Sequence, residues 1–315
     1  MRIGLIDVDA ESRGKVTTPN LALMKLSAYH KAKGDTVEWY KPLLSGHMDI
    51  VYMSRVFGDE YTKDYPWPVD ADTVIRGGSG YAISVVDDKE VHDKRLDLDL
   101  PPDVERMMPD YGLYDIDNDT AYGFLTRGCP RGCFFCHVCS MQGRQVHTVN
   151  RLSDFWTGQK KISLFDPNLT CSKDWGMHIR DLAESRAMVD FTQGLDITAM
   201  TEAKCADLNG LRIERIHFAW DRPWEDHKER FAMVMRELAF ARKQTVSAYV
   251  LTNAGSTHQE DLHRVETLRE LGIQPYVMIY RKHTAPKITR QLQRYTNSPM
   301  IFWSLNSFDE YMKNE

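Results

Sequence analysis

The 315-residue chain has no apolar run approaching the roughly 20 residues that cross a bilayer, so no helical membrane span is expected. It lacks an excess of one sign of charge. With 40 Lys and Arg against 45 Asp and Glu the net charge is −5, and nothing global points to nucleic acid or an anionic membrane surface. Internal repeats and low-complexity tracts are absent as well. The opening run Met1-Arg2-Ile3-Gly4-Leu5-Ile6-Asp7 is too short and too charged for a signal peptide and reads as a strand, so a reducing cytoplasm is the expected compartment. Cysteine is scarce: there are six, and none precedes Cys129. In a reducing compartment, clustered cysteines mean metal or redox chemistry rather than disulfides. Cys171 and Cys205 stand alone and read as plain thiols.

What is present is alternation. Strand and helix patterns follow one another almost throughout, the mark of an α/β protein long enough for one large unit or two domains. Strands are expected over 3–8, 37–40, 50–54 and 73–76, and a helix over 19–33 ending at Gly34. Gly77-Gly78-Ser79-Gly80 closes the last strand, giving a small Rossmann-like sheet. Residues 85–120 are rich in turn formers and acids (Asp87, Asp88, Pro101, Pro102, Asp115, Asp117, Asn118, Asp119) and read as a linker.

The pattern restarts at Ala121. Strands are expected over 123–126, 161–165, 189–192, 213–220, 246–251 and 276–280. Most precede a helix. One, over 173–185, carries Trp175, His178, Ile179 and Leu182 at helical spacing. Another, over 226–242, carries Phe231, Val234, Met235 and Leu238. Thr257 and Glu260 form a capping box opening a helix to Leu271, and 288–294 is the last helix. Six such units suggest an open or partial (β/α) barrel, whose chemistry sits on loops at the C-terminal ends of the strands. The expected division is 1–115 Rossmann-like, 116–295 partial barrel and 296–315 C-terminal extension.

Four cysteines fall within eleven residues at one such strand end: Cys129, Cys133, Cys136 and Cys139. The first three have the spacing C-x3-C-x2-C. Three thiolates can hold three irons of a [4Fe–4S] cube and leave the fourth iron open. Gly128 and Gly132 let the backbone bend around a cluster, Pro130 stiffens the turn, Arg127 and Arg131 bring positive charge, and Phe134 and Phe135 help exclude water. The competing reading is a structural zinc site made by all four cysteines, in a nucleic-acid or protein interaction module. Ligands strung this tightly are unusual for zinc, whose sites pair two short elements well apart.

The run CPRGCFFC resembles the C-x3-C-x-aromatic-C signature of the radical S-adenosylmethionine (radical SAM) superfamily, with Phe135 as the aromatic. The resemblance spans roughly residues 120–285. It implies that Cys129, Cys133 and Cys136 ligate a [4Fe–4S] cluster whose open iron is chelated by S-adenosylmethionine. One electron, from a small donor protein of the flavodoxin or ferredoxin type, would then give a 5'-deoxyadenosyl radical that abstracts hydrogen from a substrate the sequence does not identify. An iron–sulfur protein without radical activity is the further alternative. Cys139, outside the signature, is a spare thiol or has a redox or substrate-facing role.

The resemblance also places cofactor contacts at the later strand ends. Asp166, where relatives carry a Gly-Gly-Glu-type motif, offers a carboxylate to the cofactor's ammonium or caps a turn. Gln193 and Asp196 face cofactor or substrate, with an N-cap role for Asp196 as the alternative. Asp221 reaches the ribose or the methionine moiety. Asn253 lies in 252–257, where relatives contact adenine. Tyr280, Arg281 and His283 line the substrate side, and His217 reads as a core histidine. The basic cluster Arg281, Lys282, Lys287, Arg290 and Arg294 is a solvated face or a phosphate-facing patch. No aromatic-interleaved stripe supports a nucleic-acid partner, and no membrane partner is expected.

Some radical SAM proteins carry a cobalamin-binding domain before the barrel, and the first 115 residues resemble one in arrangement. Ser54 and Gly77-Gly78 sit where that domain contacts the nucleotide tail. Its Asp-x-His-x-x-Gly motif is missing: 7–14 reads Asp-Val-Asp-Ala-Glu-Ser-Arg-Gly. Cobalamin is therefore not expected, and the domain reads as a degenerate scaffold. The absence of cysteine before Cys129 argues against the methylthiotransferase subclass, and the cysteine-free C-terminal end against auxiliary clusters.

Overall fold

In a computed structural model that describes residues 1–16, 18–86, 89–116, 119–213, 215–240 and 245–314, the chain forms two units. One is Met1–Tyr122 with Ser153–Thr157, the other Gly123–Leu152 with Gly158–Glu315.

The first unit is built on four parallel strands: β1 (Arg2–Asp7), β2 (Thr36–Trp39), β3 (Met48–Ser54) and β4 (Ala71–Gly77), in the order β2-β1-β3-β4. Both faces of β1 are covered, so it reads as a nearly continuous apolar run. Ile3 and Leu5 pack with Leu23 and Leu26 of the helix Leu21–Ala32, and Ile6 packs with Val51 and Met53. Register brings Asp7, Ser54 and Gly77 side by side at the C-terminal edge.

The stretch expected as a linker is instead part of this unit. It contains an antiparallel hairpin, β5 (Ile83–Val86) with β6 (Lys89–His92), and a short helix, Pro102–Glu105. Buried Val104 joins the core, Lys25 bonds Glu105 at 3.0 Å, and Tyr114 donates to Asp7 at 2.7 Å. Polar composition suggested a free crossing, and Val85, Val86, Val91, Leu96 and Leu98 do stay exposed, but Val104 and Tyr114 are buried in this unit. Asp87, Asp88, Asp117 and Asn118 lie outside the described residues.

The second unit begins at the end of β7 (Thr120–Gly123). A short antiparallel pair follows, β8 (Thr126–Arg127) with β9 (His147–Thr148). Then come β10 (Lys161–Leu164), β11 (Met188–Phe191), β12 (Arg212–Ile213), β13 (Ile216–Ala219), β14 (Val246–Thr252) and β15 (Gln274–Ile279). Two sheets, β12-β11-β10-β7 and β13-β14-β15, are joined where Leu195 donates to the His217 carbonyl at 2.8 Å. The strands β7, β10, β11, β13, β14 and β15 thus run in chain order around an open arc, a partial barrel that does not close among the described residues. In β14 the alternation is strict. Val246, Ala248, Val250 and Thr252 are buried, and Ser247, Tyr249 and Leu251 are half-buried on the other face.

The sequence predicts a single strand over 213–220. The structure divides it: β12 pairs with β11, and β13 pairs with β14. The helix expected over 226–242 is Lys228–Glu237, and Arg242 lies outside the described residues. Beyond the helix Lys287–Thr296, the stretch expected as an extension forms helices Pro299–Ser304 and Phe308–Asn314. Phe302 and Phe308 pack on Tyr295, and Arg269 lies 3.9 Å over the Phe302 ring. No helix among the described residues is long and apolar enough to cross a membrane.

Candidate metal centre

The cysteine loop leaves β8 and returns through β9, so both its ends are fixed by one antiparallel pair. Its sharpest bends fall at glycines. Gly128 has φ 89° and a Cβ there would run into the Gln145 carbonyl; Gly132 has φ 57° and a Cβ there would strike the Arg144 guanidinium. Gly128 N donates to Gln142 Oε1 at 3.2 Å and Cys129 N to the Gly143 carbonyl at 3.1 Å, tying entrance to exit. Cys136 N donates to the Cys133 carbonyl at 3.1 Å, closing a turn between the second and third cysteines.

Cys136 is exposed, and Cys129, Cys133 and Cys139 are half-buried. Loss of hydration raises the Cys129 thiol pKa and pushes Cys136 up to about 11, with Cys133, Cys129 and Cys139 adding like-charge repulsion at Cys136. The Cys129, Cys133 and Cys139 sulfurs therefore lie within electrostatic reach of Cys136. Among the described residues no three His, Cys, Asp or Glu side chains converge on a point suited to a single ion. Cys139 Sγ donates to the Cys129 carbonyl at 2.9 Å and so braces the loop.

Asp166, which the sequence offers to an ammonium, is turned to the root of the loop. Its carboxylate is 5 % exposed and accepts from Leu125 N (3.1 Å), Thr126 N (2.5 Å) and Thr126 Oγ1 (2.6 Å). Desolvation outweighs these bonds and pushes its pKa up to about 6. Asp196 does two things. Oδ1 caps the turn Ile197–Ala199 by accepting from Thr198 N at 3.0 Å, while Oδ2 accepts from Asn168 Nδ2 at 3.1 Å. Asp221 accepts from Leu251 N at 3.1 Å; burial pushes it up to about 6, against the pull of Arg264, Arg131 and Arg222.

The remaining candidates stand apart from this group. Gln193 is exposed in the turn after β11. Asn253, with φ 59°, donates its amide to the Tyr280 carbonyl (2.8 Å) and Thr284 Oγ1 (3.1 Å). Phe135 is half-buried, edge-on to Phe134 at 5.2 Å, and Phe134 meets Tyr280 at 6.3 Å. His217 bonds Ser247 and stacks on Tyr249 at 5.4 Å. In the basic cluster, Lys282, Lys287, Arg290 and Arg294 are exposed, and Arg290 donates to the Lys282 and His283 carbonyls.

Three residues that the sequence did not single out complete the surroundings of the loop. Asn168, 2 % exposed, donates to Cys129 Sγ at 3.4 Å. Arg222 donates to Cys133 Sγ at 3.4 Å and to the Arg131 carbonyl. Glu225 accepts from Arg222 Nη1 at 3.0 Å and from Arg131 Nη2, and lies 3.1 Å from His227 Nε2. Arg131 comes within 3.8 Å of Asp196. The available signal was polar residues at the ends of β10 and β13, at Asn168 and at 221–225. Cys171 lies 4.0 Å from Asp196 Oδ2, and burial pushes its thiol up to about 11.

At the C-terminal edge of the first unit most of the polar groups bond one another, while the buried Arg55 Nε has no hydrogen-bond partner. Asp9 accepts from Val56 N (2.6 Å), Phe57 N (3.3 Å) and Thr62 Oγ1 (2.7 Å). Ser54 Oγ accepts from Asn20 at 2.8 Å, and Arg55 bonds the Gly80 carbonyl and Asp59.

No family model matches the chain, and no curated protein matches it in sequence. Among solved structures it is similar to the radical S-adenosylmethionine methyltransferase TsrM from Kitasatospora setae with cobalamin and a [4Fe–4S] cluster bound. The TM-score is 0.61 at 11% identity, covering 88% of this chain and 74% of that one. A second structure of that enzyme, with tryptophan substrate and a SAM analogue, matches at TM-score 0.41 and 12% identity over 88% of this chain and 67% of that one. At this identity the likeness is one of fold alone.

Proposed function

We propose that this protein is a radical SAM enzyme that binds a [4Fe–4S] cluster through Cys129, Cys133 and Cys136 and acts on an unidentified substrate by hydrogen abstraction. The observation that carries the reading is the loop itself: three soft thiolates at the C-terminal end of the first barrel strand, with Asn168 and Arg222 donating to two of the sulfurs. That donor set fits an iron–sulfur cube. When bound, cluster and S-adenosylmethionine together supply one-electron cleavage of the sulfonium and hydrogen-atom abstraction.

The chain's own residues do the rest. Asp166 fixes the loop root, Gly128 and Gly132 let the backbone bend, and Cys139 braces the Cys129 carbonyl. Phe135, Gln193, Asp196, Asp221 and Asn253 stand on the loops that would hold S-adenosylmethionine. Among them Asp196 is nearest in the bonding chain to a ligand cysteine, through Asn168. Asp166 then acts behind the cofactor rather than on it.

We keep cobalamin out of this reading. Beside Ser54 two amides, Val56 N and Phe57 N, are taken up by Asp9, and residues 7–14 hold no histidine. The first unit serves as a scaffold. An electron donor of the flavodoxin or ferredoxin type and a cytoplasmic setting complete the proposal.

The test is anaerobic reconstitution, then incubation with reductant and S-adenosylmethionine. A brown protein with about four irons that releases 5'-deoxyadenosine supports the reading. Iron uptake without that product would leave an iron–sulfur protein of another kind, and a colourless protein retaining one zinc would make it a binding module. Methyl transfer is the second reading, favoured by the fold shared with a methyltransferase. S-adenosylhomocysteine as the product would select it.

A further inference from the structure

We infer that Arg222 and Asn168 are positioning residues that set the reduction potential of the cluster, each by donating a hydrogen bond to one ligand sulfur. The inference rests on the cluster assignment above and concerns side chains outside the cysteine motif.

Two independent strand ends supply the donors. Asn168 follows β10 and reaches Cys129 Sγ; Arg222 follows β13 and reaches Cys133 Sγ, both at 3.4 Å. Each is held from behind. Both amide hydrogens of Asn168 are in use, one on Cys129 Sγ and one on Asp196 Oδ2 at 3.1 Å, which settles the orientation of the amide. Arg222 spreads its fork over Cys133 Sγ, the Arg131 carbonyl and Glu225. Arg131 then joins Glu225 to Asp196, so the two donors belong to one chain of bonds running round the loop. Side chains held this way keep their donors aimed at the sulfurs through a change of charge.

The direction of the effect follows from charge. Reduction adds one negative charge to the cluster and its thiolates. A donor on a thiolate sulfur is bound more strongly by the more negative state, so it favours reduction and raises the potential. Arg222 adds a full positive charge to the same effect. Two cations, Arg131 and Arg222, face two anions, Glu225 and Asp196. Removing Arg222 leaves this group one negative charge in excess next to the cluster, and the potential falls further than loss of a neutral donor would take it.

Full-length wild type, Asn168→Ala, Arg222→Gln, Arg222→Lys and Cys139→Ser are reconstituted anaerobically. Iron content and far-ultraviolet circular dichroism are recorded, and the cluster is titrated electrochemically with electron paramagnetic resonance detection. Asn168→Ala should make reduction roughly tenfold harder, which for one electron is about 59 mV more negative. Arg222→Gln should shift further, Arg222→Lys less, and Cys139→Ser should not move. Potentials equal to wild type in Asn168→Ala and Arg222→Gln, with iron intact, would overturn the inference. So would loss of iron from both variants while the protein stays folded, because the residues would then build the site rather than tune it. Failure of the wild type to take up a cluster is a separate outcome: it removes the reading underneath, and this inference with it.

Discussion

Asp166 separates two accounts of the same carboxylate. As the anchor of the loop root it accepts two backbone amides, Leu125 N and Thr126 N, and the Thr126 hydroxyl. Asp166→Ala removes both acceptor oxygens and leaves all three donors unpaired at a site where the residue is 5 % exposed. Each buried amide left without a partner costs about 1–3 kcal/mol. At 1.4 kcal/mol per tenfold, amide exchange at Leu125 and Thr126 should speed by roughly 5- to 150-fold. Thr126 stands three residues before Cys129, so iron retention should fall with it. Asp166→Asn keeps one acceptor oxygen and should fall between. The pH dependence has a definite sign. Burial pushes this carboxyl up to about 6, above the ~3.9 of a free Asp. The native state therefore binds the proton more tightly than the unfolded chain. This contribution to stability is complete below about pH 4 and is lost as pH rises through 6. Asp166→Asn should lessen that slope in denaturant melts, leaving the shares from Asp221, also raised to about 6, and from Asp7, Asp261 and Glu266, which burial raises as well. The anchor account is refuted if exchange and iron content stay at wild-type values in Asp166→Ala while S-adenosylmethionine binding weakens. That is the pattern of an ammonium contact.

Replacing Cys129, Cys133 or Cys136 by Ser should each abolish retention of a four-iron cluster, whereas Cys139→Ser should retain it; iron and sulfide assays decide. Gly128→Ala should lower the melting temperature and iron uptake, because φ 89° costs about 1–2 kcal/mol for a residue with a Cβ and the Gln145 carbonyl must also move. Gly143→Ala, at φ 86° with nothing within 4 Å of the added carbon, should show only the first of these effects. Arg264 is 1 % exposed and bonds Trp220 O (2.6 Å), Leu251 O (3.0 Å) and Asp261. Arg264→Met should cost about 3–5 kcal/mol in urea melts by stranding Asp261, and Arg264→Met/Asp261→Leu should recover part of it.

The residues that were legible in the sequence acted locally. Strict alternation in 246–252 marked β14, the Thr257 and Glu260 pair marked a helix start, and the cysteine spacing marked the loop for which a cluster is proposed. What was not legible acts across distance. Asn168 is 39 residues from its cysteine partner and Arg222 is 89 from its own, and no short pattern joins positions that far apart. Asp166 was visible as a carboxylate at a strand end. Whether it faces a ligand or its own backbone depended on where residues 40 positions earlier fold back. The break between β12 and β13 was hidden because Ile213 and Ile216 both suit a strand, and only the pairing partner changes between them. The linker misled for the opposite reason. Its acids are conspicuous, while the few groups that commit it to the first unit, Val104 and Tyr114 among them, are sparse.

The loop is held at its root by Asp166 and across its ends by Gln142 and Gly143, through bonds in which no sulfur takes part. The ends of the loop are therefore tied by bonds that should hold without a metal. This distinguishes the site from small zinc domains, in which the binding free energy of the metal is the folding free energy and the apo chain is unfolded. In this protein the second unit buries its own core of Ile162, Val189, Phe218, Val250 and Val277, all at or below 1 % exposure, away from the loop. Stripping the metal with a chelator should leave circular dichroism and cooperative melting in place, with fast amide exchange confined to residues 128–142. A chelated protein that loses its secondary structure would mean that the ion, not the barrel, organises this loop, and the zinc-knot reading would take its place.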